Sequence, residues 1–349
     1  MTLLKILLLP FSFLYQCITD VRNYMYDKNY RKSFRFNLPV INVGNLTVGG
    51  TGKTPHVEYL LRLLLNKNIK IGTLSRGYGR KTKGFILADE TATAEQIGDE
   101  PLQFYHQFKD KISVSVGEER ALAIPYLLYE KPDIQVIILD DAFQHRPVNP
   151  SFNILLTDYH RLFYKDFTFP AGRLRESRKG AKRADVVIVT KCNDSISVEE
   201  KREITQHIHQ YTKENLAVFF TNFRYDVPKN IDNDTLDTKQ NVILISGIAQ
   251  PKSFENYAQK NFIVQKHFIF PDHYFYTDND IQKINQYIAE NPTTQIITTE
   301  KDFTKLRVFQ DKLNTEKKIF YLPIQVNFLF DDENNIFDAL IEESIKYKK

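Results

Sequence analysis

An α/β protein built on a mostly parallel sheet with helices on both faces, followed by a second, smaller α/β domain, is what this 349-residue sequence predicts. Three observations carry the prediction. A strand-like run, Leu38 to Val43, enters a glycine-rich turn ending in Gly52-Lys53-Thr54, and a helical pattern follows with Val57, Leu60, Leu61 and Leu64 on one face. Further along, the apolar run Val136-Ile-Ile-Leu139 ends in the acidic pair Asp140-Asp141. Short apolar runs and helical patterns then keep alternating beyond a polar stretch at 225–241.

Composition sets the bounds. The chain is longer than one ordinary core requires. With 42% apolar and 26% charged residues it belongs with folded globular proteins. A net charge of +4 is too small to point to nucleic acid, and no nucleic-acid partner is expected. Cys17 and Cys192 supply neither a disulfide framework nor a zinc-ligand pattern, which suits a reducing cytosol.

At the N-terminus, residues 3–14 are almost wholly apolar but fall short of the roughly 20 needed to span a bilayer. No small-x-small cleavage site follows. Residues 20–36 add Arg22, Lys28, Arg31, Lys32 and Arg35 against Asp20 and Asp27, interleaved with Tyr24, Tyr26, Tyr30, Phe34 and Phe36. An apolar segment followed by a basic, aromatic one suits a helix lying in the headgroup layer of an anionic leaflet. The alternative is a helix packed on the protein's own core.

Strand, flexible loop, Gly-Lys-Thr, helix is the order of a phosphate-binding P-loop, so the first domain is expected to be P-loop NTPase-like. Backbone N–H groups curl around phosphate oxygens, and the helix N-terminus adds about half a positive charge. The predicted cradle is Thr47, Gly49, Gly50, Thr51, Gly52, Lys53 and Thr54. Lys53 is placed on the terminal phosphates and Thr54 on Mg²⁺. Thr47 stands where the general pattern has glycine. A glycine-rich helix entry that binds nothing is the bland alternative.

The next strand, Ile69 to Ser75, runs into the basic loop Arg76-Gly-Tyr-Gly-Arg80-Lys-Thr-Lys83. Open α/β sheets place ligands at such strand ends. Arg76 and Arg80 therefore read as an anion clamp on the substrate, or as a solvated basic turn. In Gly98-Asp99-Glu100-Pro101 the two acids either cap the following helix or serve the site. Ile112–Val116 is a strand, and Gly117-Glu-Glu-Arg120 opens a helix. Val136 to Asp140 has the Walker B arrangement: a buried parallel strand delivers a carboxylate beside the phosphate loop, to hold Mg²⁺ with Asp141 as a further contact. His145 receives no role.

Asn153–Thr157 is another strand, followed by a basic run from Pro170 to Arg183. Within it Arg175 is a candidate substrate contact. The single acid Glu176 either pairs locally or chelates a metal near phosphate. Asp185–Thr190 leads to Thr190-Lys-Cys-Asn193, which departs at both ends from the Asn-Lys-x-Asp motif of guanine readers, so guanine specificity is not expected.

Leu216–Thr221 is expected to be the last strand of the first sheet, and 225–241 a linker. Strand-like runs recur at Val242–Ser246, Phe262–Val264, Gln295–Thr298 and Ile319–Leu322, with a helix over Asp280–Glu290. The predicted division is a membrane-surface segment at 1–36, a P-loop nucleotide-binding domain at 37–224, the linker at 225–241, and a smaller α/β domain at 242–349. Thr299-Glu-Lys-Asp302 either joins the nucleotide pocket or caps a helix.

In order along the chain, Val43–Pro55, Leu74–Gly79, Gly98–Pro101, Leu139–His145, Pro170–Glu176, Gly247–Pro251, Phe270–Tyr274 and Thr298–Asp302 resemble the motifs of one family, tetraacyldisaccharide 4′-kinase, the lipid A 4′-kinase of Gram-negative bacteria. The resemblance accounts for Thr47, and departs at Ala142, where the family usually has glycine. It implies transfer of phosphate from ATP, with Mg²⁺, to the 4′-hydroxyl of a tetraacylated, 1-phosphorylated glucosamine disaccharide, giving lipid IVA at the cytoplasmic face of the inner membrane. It also implies a dyad of Asp99 and His273: a carboxylate to accept the hydroxyl proton and an imidazole to orient it. The implied partners are the anionic glycolipid and the inner membrane, touched through the N-terminal helix, with the chain a monomer. With Asp99 and His273 in different domains, closure would complete the base. A P-loop switch or assembly factor that hydrolyses nucleotide at the membrane is the competing class.

Overall fold

The computed structural model describes residues 3–232, 234–272, 274–309, 311–313 and 319–346. The apolar runs become β1 (Val40–Asn45), β2 (Ile71–Ser75), β3 (Ile86–Leu87), β4 (Ile112–Val116), β5 (Val136–Asp140), β6 (Phe152–Asp158), β7 (Val186–Thr190) and β8 (Ala217–Tyr225). Then come β9 (Asn241–Ser246), β10 (Ile263–Ile269), β11 (Gln295–Thr299), β12 (Ile319–Leu322) and β13 (Ile324–Phe328). The larger sheet has the order β13-β8-β7-β6-β1-β5-β2-β4-β3, and the smaller β10-β9-β11-β12. The larger is parallel except at its edges, where β3 and β13 run antiparallel to β4 and β8. The smaller is parallel throughout.

The helices are α1 (Leu3–Asp27), α2 (Lys53–Leu65), α3 (Ala94–Ile97), α4 (Asp99–Phe108), α5 (Arg120–Glu130), α6 (Val198–His209), α7 (Pro251–Asn261), α8 (Asp278–Glu290), α9 (Glu300–Leu306) and α10 (Glu333–Ile345). α2, α4, α5, α6 and α10 cover the two faces of the larger sheet, which is why β1, β5 and β7 are buried along their whole length and why β5 and β7 read as apolar runs up to their last residue. On one face Leu60, Leu61 and Leu64 of α2 pack with Phe104 and Phe108 of α4 and Phe337 and Ile341 of α10. On the other, Ile124 and Leu127 of α5 cover Ile137 and Leu139, and Ile204 and Ile208 of α6 cover Val187 and Val189.

Two expectations about organisation are corrected. The smaller layer does not run to the C-terminus. β13 returns to pair with β8, Ile324 facing Tyr225, and α10 packs into the first core. Phe328, Phe337 and Ile341 supply apolar surface that the larger sheet covers and the smaller one does not. The apolar N-terminal run is also only the first half of a 25-residue helix that continues through Pro10 into the basic segment. The docked side of α1 is polar: Ser12, Thr19 and Asn23 are its buried residues. Leu3, Leu4, Leu7, Phe11, Phe13, Leu14 and Ile18 are exposed. By length and composition α1 is sufficient to cross a membrane.

α4 and α9 lie side by side in opposite directions and join the two sheets. Asp99 at the start of α4 meets Lys305 near the end of α9, and Gln107 near the end of α4 donates to Glu300 at the start of α9 over 2.9 Å.

Candidate active site

The phosphate loop, Arg76 and the acidic pair Asp140–Asp141 stand at the C-terminal ends of the parallel strands β1, β2 and β5. β1 delivers the loop Leu46–Gly52 to the N-terminus of α2, where unpaired N–H groups favour anions. Gly49 and Gly52 have φ of 111° and 82°, a region that side chains other than glycine rarely adopt. A Cβ on Gly52 would also lie 2.4 Å from the Phe223 ring. The loop is braced from outside. Val48 N donates to Arg173 O at 2.8 Å, Arg175 N to Leu46 O at 2.7 Å, and Asn45 Nδ2 to Thr51 Oγ1 at 2.7 Å. Lys191 Nζ donates to the Gly50 carbonyl. The lysine of the imperfect guanine-type motif thus props the phosphate loop, although its flanking residues have changed.

His56, one turn into α2, closes the base of the loop. Its Nδ1 lies 2.8 Å from the Gly52 carbonyl and its Nε2 3.2 Å from Thr221 Oγ1. A carbonyl only accepts, so Nδ1 carries the proton. Burial lowers the His56 pKa to about 4, keeping the ring neutral.

The register Val43↔Asp140 sets the end of β5 beside the strand that feeds the loop. Asp140 is buried, and its Oδ1 has no hydrogen-bond partner. Burial, then the charge of Glu100, pushes its pKa up to about 8, against the pull of Lys53. Asp141 sits at φ 52°. Lys53 Nζ lies 3.7 Å from its Oδ2, and Arg175 grips both oxygens at 3.1 and 2.6 Å. Burial alone would raise the Asp141 pKa, but Lys53 and Arg175 together hold it below the usual carboxylate range. These groups open on a cleft of about 860 Å³ whose far wall is Ile248, Ala249, Asp272 and Lys301 of the smaller layer.

Of the other expected residues, Thr47 makes an antiparallel bridge to Leu174, and Arg76 and Arg175 line the cleft. Asp99 is the first residue of α4, with its Oδ2 2.8 Å from Lys305 Nζ. His273 lies outside the described residues. Two expectations are corrected. Arg80 does not reach the cleft: its guanidinium turns back to the Gly84 carbonyl at 2.7 Å and Glu118 at 2.6 Å, which locks the 76–84 loop. Glu176 is not an open metal contact, because its oxygens accept from Asn23 at 2.6 Å, Gln144 at 2.9 Å and Arg183 at 2.7 Å. Of the alternatives for the lone acid, local and long-range pairing prevails.

The sequence reading missed Arg120 and Arg22, which both line the cleft. Arg120 is buried, donates to Glu118 O at 2.9 Å, and has its pKa lowered to about 10 by burial. Its only sequence signal is a position at a helix start after a strand. Arg22 gives none, since its partner is the distant Gln144 carbonyl.

A phosphate loop with its lysine, a carboxylate at the end of the neighbouring parallel strand, and a second α/β body facing them across a cleft define a P-loop kinase. The sequence model of the family described as tetraacyldisaccharide-1-P 4′-kinase matches residues 4–346, and the chain belongs to that family. A tetraacyldisaccharide 4′-kinase of Flavobacterium johnsoniae is 44% identical over 99% of this chain and 98% of its own. That of Cytophaga hutchinsonii is 44% identical over 97% and 96%. The crystal structure of LpxK from Aquifex aeolicus in complex with ATP superposes with a TM-score of 0.76 at 31% identity, covering 98% of this chain and all of that one.

Proposed function

We propose that this chain transfers the γ-phosphoryl group of ATP to the 4′-hydroxyl of tetraacyldisaccharide 1-phosphate, forming lipid IVA in lipid A biosynthesis. Besides family membership, the supporting observation is the unpartnered, buried Asp140 Oδ1 beside Lys53 at the phosphate loop. A buried carboxylate oxygen without a donor fits a cation. Thr54 and Asp140 would hold Mg²⁺, with Asp141 near it, and the ion would supply neutralisation of the phosphate charge. Lys53 and the amides of Thr47 and Gly49–Gly52 bind the triphosphate and hold it in line.

The sugar oxygen forms its bond to the γ-phosphorus as the bond to the ADP oxygen breaks. The hydroxyl proton passes to the Asp99 carboxylate, and His273 orients that carboxylate. Arg76 faces the acceptor's phosphate. Arg175 acts mainly through Asp141, which it holds ionised and aimed.

The acceptor arrives from a bilayer. The exposed apolar side of α1 lies in the headgroup and acyl boundary at the cytoplasmic face of the inner membrane, with the basic residues 28–35 against anionic lipid. Docking of Ser12, Tyr15, Arg22 and Asn23 on the protein favours a helix that lies along the surface over one that crosses it.

ATP turnover in mixed micelles, with and without the disaccharide monophosphate, tests the reading. Turnover should require the lipid; turnover indifferent to it would instead indicate a nucleotide switch. Asp99→Ala should lower kcat by about 10² to 10⁴ with ATP affinity intact. Equal loss of ATP binding would remove Asp99 from the role of base.

A further inference from the structure

We infer that Lys305 is a positioning residue for the phosphoryl transfer, the group by which the smaller body holds Asp99 in place. The inference rests on the reading of Asp99 as proton acceptor. The Lys305 and Asp99 side chains are 4% and 5% exposed, and their charged atoms lie 2.8 Å apart. Lysine is almost never this buried unless paired. Lys305 Nζ also donates to the Tyr274 carbonyl at 3.0 Å and lies 5.6 Å from the centre of the Phe275 ring. One ammonium group therefore ties the Asp99 carboxylate to the main chain just after position 273.

The other side of Asp99 is held by backbone contact. Gly98 has φ 92°, and a Cβ there would come within 3.0 Å of the Tyr78 carbonyl and 3.2 Å of Gly77. The start of α4 is thus pressed against the Arg76–Arg80 loop. The carboxylate is fixed from the first domain by this packing and from the second by a charge. Adhesion alone does not explain the pair, because apolar residues of similar volume can join two buried helix faces without desolvating two ions. At the far end of the same helix pair, Gln107 and Glu300 make the join without a cation.

Five proteins are compared in the lipid-dependent assay: wild type, Lys305→Met, Lys305→Arg, Asp99→Asn and the double variant Lys305→Met with Asp99→Asn. Lys305→Met should lower kcat by about 10²-fold, the scale of a misplaced catalytic group, with ATP affinity near wild type. The acid limb of its kcat profile should move to higher pH, since a carboxylate that loses a neighbouring cation binds its proton more tightly. Lys305→Arg should recover at least tenfold of the loss. In the Asp99→Asn background, Lys305→Met should cost nothing further, because Lys305 acts through Asp99. A wild-type kcat and pH profile for Lys305→Met, or a further 10²-fold loss in the Asp99→Asn background, would overturn the inference. Should Lys305→Met not fold, Lys305→Gln removes the charge but keeps a donor for Tyr274, with the same expected results. Full activity of Asp99→Asn would instead sink the reading of Asp99 as base, so the two failures are distinguishable.

Discussion

Asn23 Nδ2 donates to Glu176 Oε2 over 2.6 Å, joining the helix whose apolar side faces outward to the segment that braces the phosphate loop. The same carboxylate takes Arg183 and Gln144, and Gln144 donates in turn to the Asn45 carbonyl at the end of β1. One buried acid thus links α1, the loop after β5 and the root of the phosphate loop.

Glu176→Ala strands three donors in a buried setting and should cost about 3–5 kcal/mol, read from denaturant unfolding. Glu176→Gln should cost about 1–3 kcal/mol. In neither variant should the Mg²⁺ concentration giving half-maximal turnover move. A rightward shift in Glu176→Gln would restore the acid to the metal site.

The exposed face of α1 should be separable from its docked face. Leu7, Phe11, Leu14 and Ile18 share the outward side. Each is worth at least about 1.5 kcal/mol when fully removed from water. Replacing all four with serine should weaken co-sedimentation with anionic vesicles by about 10⁴-fold and leave the melting temperature nearly unchanged. Unaltered vesicle binding would overturn the surface-helix reading.

His56 makes stability pH-dependent. Its folded-state pKa is lowered from 6.5 to about 4, so the unfolded chain binds the proton more readily. The stabilisation is complete above about pH 6.5 and declines as pH falls towards 4, by about 3 kcal/mol over that window. Unfolding free energies at pH 7 and 4.5 should show the loss, and His56→Gln should reduce it.

Gly52→Ala brings together an unfavourable φ and a collision with Phe223. It should lower stability by about 2 kcal/mol or more and weaken ATP binding. Adding Phe223→Ala removes the collision but not the backbone cost, so recovery should be partial. Full recovery would show that φ at this position is not limiting.

The parts of the site built from consecutive residues were legible in the sequence. Lys53 follows its strand and turn directly, and Asp140 ends a short apolar run that reads as a buried strand once the Gly-Lys-Thr turn upstream is set beside it. For Glu176 the sequence leaves pairing and metal chelation both open, because its nearest neighbours in sequence are basic while a decisive partner, Asn23, is 153 positions away. Arg80 was misread for the converse reason. A cation in a glycine-rich loop looks available until the loop folds back on Glu118. The polar side of α1 was visible in the spacing of Ser12, Thr19 and Asn23, but the apolar majority around them concealed it. The return of β13 could not be read, because an edge strand pairing antiparallel with β8 carries no local mark of its partner.

Because Tyr225 and Ile324 are paired neighbours, the smaller body is an insertion hung on a two-stranded hairpin edge. Its entrance and exit share one doorpost. Cutting out what lies between and bridging the gap with a tight turn should leave a miniature protein with its nucleotide loop whole and no lid. Such a trimmed enzyme would separate grasping a nucleotide from spending it on a lipid.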